Sequence, residues 1–118
     1  MRVAHTVLIV DDHPSFRASA RAILEADGFE VVGEAEDGAS GLAALRRLRP
    51  DVVLLDVQLP DMTGFDVCVE CGDLDVTSIV LTSSRDATDF GSQIELSIAR
   101  GFVPKAELSG AAVTSLLP

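Results

Sequence analysis

A doubly wound α/β fold, with five parallel strands in the order 2-1-3-4-5, is what this 118-residue sequence predicts. Three observations carry that expectation. Short apolar runs alternate with segments of helical spacing along the chain. Four of those runs stop abruptly at a polar group: Val7–Val10 at Asp11 and Asp12, Val52–Leu55 at Asp56, Ser78–Leu81 at Thr82, and Gly101–Pro104 at Lys105. Such runs read as buried parallel strands, and ligands bind at the carboxyl ends of strands in open α/β sheets. Lastly, Pro104 lies inside the fifth run. Proline cannot donate to a ladder, so this strand belongs at a sheet edge, where the order 2-1-3-4-5 puts it. The same order sets strands one and three side by side, so Asp11, Asp12 and Asp56 emerge together.

The elements follow in sequence. Strand one covers Thr6–Val10. Pro14 suits the first turn of helix one, where its missing N–H costs nothing. Phe16, Ala20, Ile23 and Leu24 fall at helical spacing, and Gly28 is the expected stop. Strand two covers Phe29–Ala35. Asp37-Gly38 marks a turn into helix two, which carries Leu42, Leu45 and Leu48 and closes before Pro50. Strand three is Asp51–Leu55, followed by a loop through Gly64 and a short helix near Phe65–Cys71. Strand four is Thr77–Thr82, strand five Gly101–Pro104, and Leu108, Ala112 and Leu116 mark a final helix. Between Ser83 and Arg100, Phe90, Ile94 and Ile98 are spaced for a helix that Asp86 could cap. Gly91-Ser92 interrupts it, glycine alone costing ~1 kcal/mol against alanine. A short or irregular helix is expected there.

A single domain of this length buries a core without disulfides or metal staples. The hydrophobic share of 47% supports packing rather than disorder, and five Phe without Trp or Tyr make the core aliphatic. A net charge of −10 argues against direct contact with nucleic acid, which demands neutralisation of phosphates. No run reaches the ~18 apolar residues that span a bilayer. The first apolar stretch is short and runs into Asp11-Asp12, which argues against a signal peptide; a cytoplasmic protein is expected. Cys68 and Cys71 form a C-x-x-C without further zinc ligands nearby in sequence, and read as reduced thiols on a short helix.

The strand-end constellation has a chemistry. Carboxylates ~4 Å apart repel by ~4 kcal/mol per pair at an effective dielectric near 20, so a cluster needs a bound cation or a retained proton. Mg²⁺ fits, being hard, octahedral and shared readily with phosphate oxygens. Asp56, alone at the end of the most apolar strand, is the expected nucleophile. Lys105 supplies a positive charge and Thr82 a hydroxyl to a transferred phosphoryl group, since such transfers rest on positioning and charge neutralisation.

These motifs resemble the receiver domain of two-component response regulators over essentially the whole chain. The matching stretches are Val7-Leu8-Ile9-Val10-Asp11-Asp12, Leu55-Asp56-Val57-Gln58-Leu59-Pro60-Asp61-Met62-Thr63-Gly64, Thr82-Ser83 and Gly101-Phe102-Val103-Pro104-Lys105. The resemblance implies a flavodoxin-like receiver fold and a phosphoryl group passed from a histidine kinase to Asp56. It implies Mg²⁺ on Asp12, Asp56 and the backbone carbonyl of Gln58, with Asp11 acting mainly through water. Thr82, Ser83 and Lys105 would line the phosphoryl pocket, and Thr82 with Phe102 would form the switch pair. Val31–Ala35 and Lys105–Leu108 are similar to the branch bearing a C-terminal helix-turn-helix output domain. No output domain is expected within these residues, whereas an output domain, a partner protein or a phosphorylation-dependent homodimer would read the switch. Where the family often has a cis proline after its lysine, this chain has Ala106. A cis bond there would cost ~2.5–4 kcal/mol, and a trans bond is expected. Gln58 and Ser84 stand at positions that tune the lifetime of the phosphorylated form in the family.

Two rival readings are weaker. A flavodoxin-like FMN module wants a first loop rich in N–H donors, whereas Asp11-Asp12-His13-Pro14 repels phosphate unless a metal intervenes. An aspartate-nucleophile phosphatase needs a second acid two residues on, and Gln58 stands there.

Overall fold

A computed structural model describes residues 4–72 and 77–118. Its elements run β1 (Thr6–Val10), α1 (Pro14–Ala26), β2 (Glu30–Ala35), α2 (Gly38–Leu48), β3 (Val52–Asp56), α3 (Gly64–Glu70), β4 (Ser78–Ser83), α4 (Gln93–Leu96), β5 (Gly101–Pro104) and α5 (Gly110–Thr114). Short 3-10 turns at Ala87–Phe90 and Lys105–Glu107 flank α4 and β5. The sheet is parallel throughout and ordered β2-β1-β3-β4-β5. Pro104 pairs with Ser83 on the outer strand, where no further ladder needs its missing N–H.

Side-chain alternation along the strands splits the interior in two. Leu8, Val10, Val53, Leu55 and Leu81 pack against Leu42 and Leu45 of α2 and Val67 of α3. Val7, Ile9, Leu54 and Val80 face Ala20 and Leu24 of α1 and Val113 of α5. Burial on this scale stabilises by about 1.5–3 kcal/mol per large aliphatic side chain. Gly41 lets α2 approach β1 closely: a Cβ there would stand 2.9 Å from a Val10 methyl carbon.

Caps fix the helix starts. Pro14 opens α1, and Gly28 follows its end with φ +95°, a conformation open to glycine. Asp37 accepts from Ser40 N–H at the start of α2. Thr63 and Asp66 form a reciprocal capping box on α3. Strand three begins one residue later than expected and includes Asp56, because the pairing of Asp56 with Thr82 extends the ladder.

The segment after β4 is irregular, as expected. A 3-10 turn and a four-residue helix replace one continuous helix, with Gly91 at φ +57° between them. Asp86 precedes the turn without a side-chain capping bond. The last helix is shorter than the Leu108–Leu116 spacing suggests: Ser109 caps Ala112 N–H, so only Gly110–Thr114 are helical. Between α3 and α4, Phe65, Cys68, Val69, Leu96 and Ile98 line a groove of about 240 Å³. Val69, Leu96 and Ile98 are among the most exposed large apolar side chains described.

Candidate functional site

The site forms where β1 and β3 end. Asp11 leaves β1 with its N–H donating to the Ala35 carbonyl at 3.0 Å, and its side chain is wholly buried. Arg17 of α1 holds the Asp11 carbonyl at 2.6 Å and is itself anchored by Glu34 of β2. Asp12 is half-buried beside it. Asp56 ends β3 at 2% exposure, its Oδ1 accepting the Gln58 N–H at 3.2 Å.

The loop after Asp56 is pinned at several points. Gly64 N–H donates to the Val57 carbonyl at 2.7 Å, and a Cβ on Gly64 would come within 2.7 Å of the Asp56 carbonyl oxygen. Gln58 and Thr63 pair across the loop. At its tip, the Asp61 carboxylate accepts Gly38 and Ala39 N–H at the start of α2, at 2.8 and 3.0 Å. Those backbone donors hold its carboxyl below the usual carboxylate range.

Lys105, just beyond β5, reaches back across the pocket. Its Nζ lies 2.7 Å from Asp11 Oδ2, 3.4 Å from Asp56 Oδ2 and 4.5 Å from the centre of the Phe16 ring. Burial, then the negative charge of Asp11, pushes the Asp56 carboxyl up to about 6, while the Gln58 N–H and Lys105 pull it back. Thr82 stands opposite Asp56 in the ladder, fully buried, and its hydroxyl donates to the Val103 carbonyl at 2.7 Å. The hydroxyl is therefore committed to strand five rather than free in the pocket. Ser83 is buried next to it, its Oγ accepting Arg85 N–H. Phe102 is half-buried at the end of a row of rings: 5.9 Å to Phe90, which is 6.0 Å from Phe65.

One ammonium cannot balance three carboxylates. Asp11 Oδ2 and Asp12 Oδ1 are buried without a hydrogen bond, the Lys105 contact to Asp11 being an ion pair that lacks hydrogen-bond alignment. Ligand atoms of Asp11, Asp12, His13 and Asp56 lie within 4.8 Å of one another. Carboxylate oxygens converging at that spacing, with Asp12 Oδ1 buried and lacking a hydrogen bond, fit a hard dication.

The structure brings Asp11, Asp12, Asp56 and Lys105 into one pocket, with Gln58 hydrogen-bonded to Asp56, Thr82 paired with it and Ser83 next along the strand, while Phe102 packs instead against Phe90. Two members were missed. His13 directly follows the acidic pair, and its position alone was a signal; Asp61 gave none, since its partners come from a distant loop. Cys68 and Cys71 are buried, and the Cys71 thiol donates to the Cys68 carbonyl at 3.8 Å. Burial pushes the Cys68 thiol up to about 12, which leaves it inert. Among the described residues no peptide bond is cis, Lys105–Ala106 included.

Sheet order and pocket together define a class: a doubly wound α/β domain with an acidic pocket at the carboxyl edge of its sheet. Residues 7–114 match the model of the response regulator receiver domain, and the chain belongs to that family. It is 37% identical over 102 residues to BvgA of Bordetella pertussis, a regulator named for virulence-factor transcription, covering 86% of this chain and 49% of BvgA. It is 44% identical over 86 residues to the DNA-binding response regulator MtrA of Mycolicibacterium smegmatis, covering 70% of this chain and 36% of MtrA. The chain therefore spans half or less of these relatives. Its fold matches the signal receiver domain of NarL from Mycobacterium tuberculosis with TM-score 0.86 and 31% identity, covering 98% of each chain. It also matches the chemotaxis regulator CheY4 of Vibrio cholerae at TM-score 0.84 and 26% identity, covering 98% of this chain and all of that one. Family membership sets aside the flavodoxin-type cofactor module. No described helix is long and apolar enough to cross a membrane.

Proposed function

We propose that Asp56 is the phosphoacceptor of this receiver domain and that a sensor histidine kinase is the donor. The observation that carries the reading is Asp56 at the end of a buried strand, with Lys105 at 3.4 Å and ligand atoms of Asp11 and Asp12 within 4.8 Å. An Asp56 oxygen attacks phosphorus; the bond from phosphorus to the donor nitrogen breaks, and its electron pair leaves on the imidazole. Asp11, Asp12, Asp56 and the Gln58 carbonyl would hold Mg²⁺, Asp11 mainly through water. The ion supplies neutralisation of charge on the phosphoryl oxygens. Lys105 exchanges part of its pairing with Asp11 and Asp56 for a phosphoryl oxygen. Ser83 lines the same pocket.

Thr82 is the relay. Turning its hydroxyl from the Val103 carbonyl toward a phosphoryl oxygen gives two arrangements with different contacts, the condition for a ligand to shift an equilibrium. Phe102 then moves into the space vacated beside strand four. The signal passes to an output domain, a partner protein or a second phosphorylated copy, and the chain works in the cytoplasm without touching nucleic acid itself. The same pocket promotes loss of the phosphoryl group to water.

Incubation with acetyl phosphate and Mg²⁺ tests the assignment by intact mass. One phosphoryl addition is expected on the unmodified protein and none on Asp56→Asn. An equal gain in the variant would place the nucleophile elsewhere.

A further inference from the structure

The His13 ring is not occupied by its own helix. It stands at the N-cap of α1, yet makes no capping hydrogen bond there. Its Nδ1 instead hydrogen-bonds Asp11 Oδ1 at 2.9 Å and lies 3.2 Å from Asp12 Oδ1 and 3.4 Å from Lys105 Nζ. The His13 N–H also donates to Asp11 Oδ1 at 2.8 Å, which fixes the backbone beneath the ring. One nitrogen thus faces two anionic oxygens, of which Asp12 Oδ1 is buried without a hydrogen bond, while the other oxygen of the wholly buried Asp11 is ion-paired to Lys105.

Cis ligands of an octahedral ion with bonds near 2.1 Å sit about 3.0 Å apart. The 3.2 Å separation of Nδ1 from Asp12 Oδ1, a direct ligand in the reading above, matches that spacing. We propose that His13 is a further side-chain donor to the cation held by Asp11, Asp12 and Asp56. On this account His13 shifts the site's preference from Mg²⁺ toward first-row dications that take imidazole nitrogen. The inference rests on the acidic pocket being a cation site, as proposed above. Carboxylate and water suit Mg²⁺, whereas an imidazole favours Co²⁺, Ni²⁺ or Zn²⁺. The neutral ring binds through Nδ1 with its proton on Nε2. Side-chain exposure of 62% lets the ring swing the small distance that a shared ion demands.

Tag-free protein titrated with Co²⁺ and with Mg²⁺ at fixed ionic strength tests this. The ratio of Co²⁺ to Mg²⁺ affinity is expected to fall about tenfold or more in both His13→Ala and His13→Gln. The visible absorption of bound Co²⁺ should shift as its nitrogen donor is lost. Glutamine keeps a polar side chain, so a fall in both variants assigns the preference to nitrogen. An unchanged ratio and spectrum, with both ions still binding, would overturn the role of His13 and leave the acidic site standing. A near-ultraviolet thiolate band surviving in both variants would place Co²⁺ at Cys68 and Cys71 and likewise overturn it. Binding of neither ion to the unmodified protein would remove the acidic site itself.

Discussion

Asp56 carries opposing demands at the scale of one residue. As the proposed acceptor it has to be ionised, yet burial and the neighbouring Asp11 raise its pKa from 3.8 to about 6. In metal-free buffer the folded protein therefore holds this proton more tightly than the unfolded chain does. The resulting stability is fully present below pH ~4 and is lost as pH rises through about 6. The shift corresponds to about 3 kcal/mol. Asp56→Asn should consequently be more stable than the parent at pH 7.5, with the gap closing as pH falls from about 6 to ~4. Paired urea melts across pH 4–8 would check this, and a constant difference would sink it. His13 and Asp61 show what single-residue reading loses. Each acts through a contact set by folding: a ring returned onto its own loop, and a carboxylate bridging to the start of another helix.

At the level of elements, the segment from Asp86 to Arg100 is the least secured. Neither Ala87–Phe90 nor Gln93–Leu96 contributes a buried residue. Amide exchange should be fast there in the free protein and should change on phosphorylation, because Thr82 lies near the end of β4, the strand that leads into this segment. Thr82→Ala should blunt that change while Asp56 still accepts the phosphoryl group. It should also cost about 1 kcal/mol through the lost bond to Val103. Exchange followed by mass spectrometry decides the matter; protection changing only in α1 and α2 would refute the relay. Periodicity anticipated this element's weakness but not its form. Phe90, Ile94 and Ile98 do lie on a helical repeat, yet Gly91 adopts a positive φ that splits it. Likewise Leu108 and Leu116 belong to the final helix by spacing but flank it in space, because the Ser109 cap fixes where the helix begins. Strands were more legible, since continuous burial on both faces writes itself into unbroken apolar runs.

For the molecule as a whole, charge and cation are linked. With a net charge of −10, and three of its carboxylates in one pocket, the fold should gain from Mg²⁺ beyond the effect of ionic strength. A hundredfold excess over the dissociation constant gives ~2.7 kcal/mol, roughly 10 °C in melting temperature for a chain of this size. Asp12→Asn should remove most of that gain without destabilising the metal-free form. A melting temperature indifferent to millimolar Mg²⁺ would argue against the site. The charge has a second consequence, for colloidal behaviour, through the apolar groove between α3 and α4. Mutual repulsion keeps Val69, Leu96 and Ile98 of one molecule away from those of the next. Near the isoelectric point of about 4.3 that repulsion vanishes, and contact between patches is no longer opposed. Light scattering should therefore rise as pH falls toward that point, and Leu96→Asp should delay the rise by lowering the isoelectric point and placing a negative charge where the surface is stickiest.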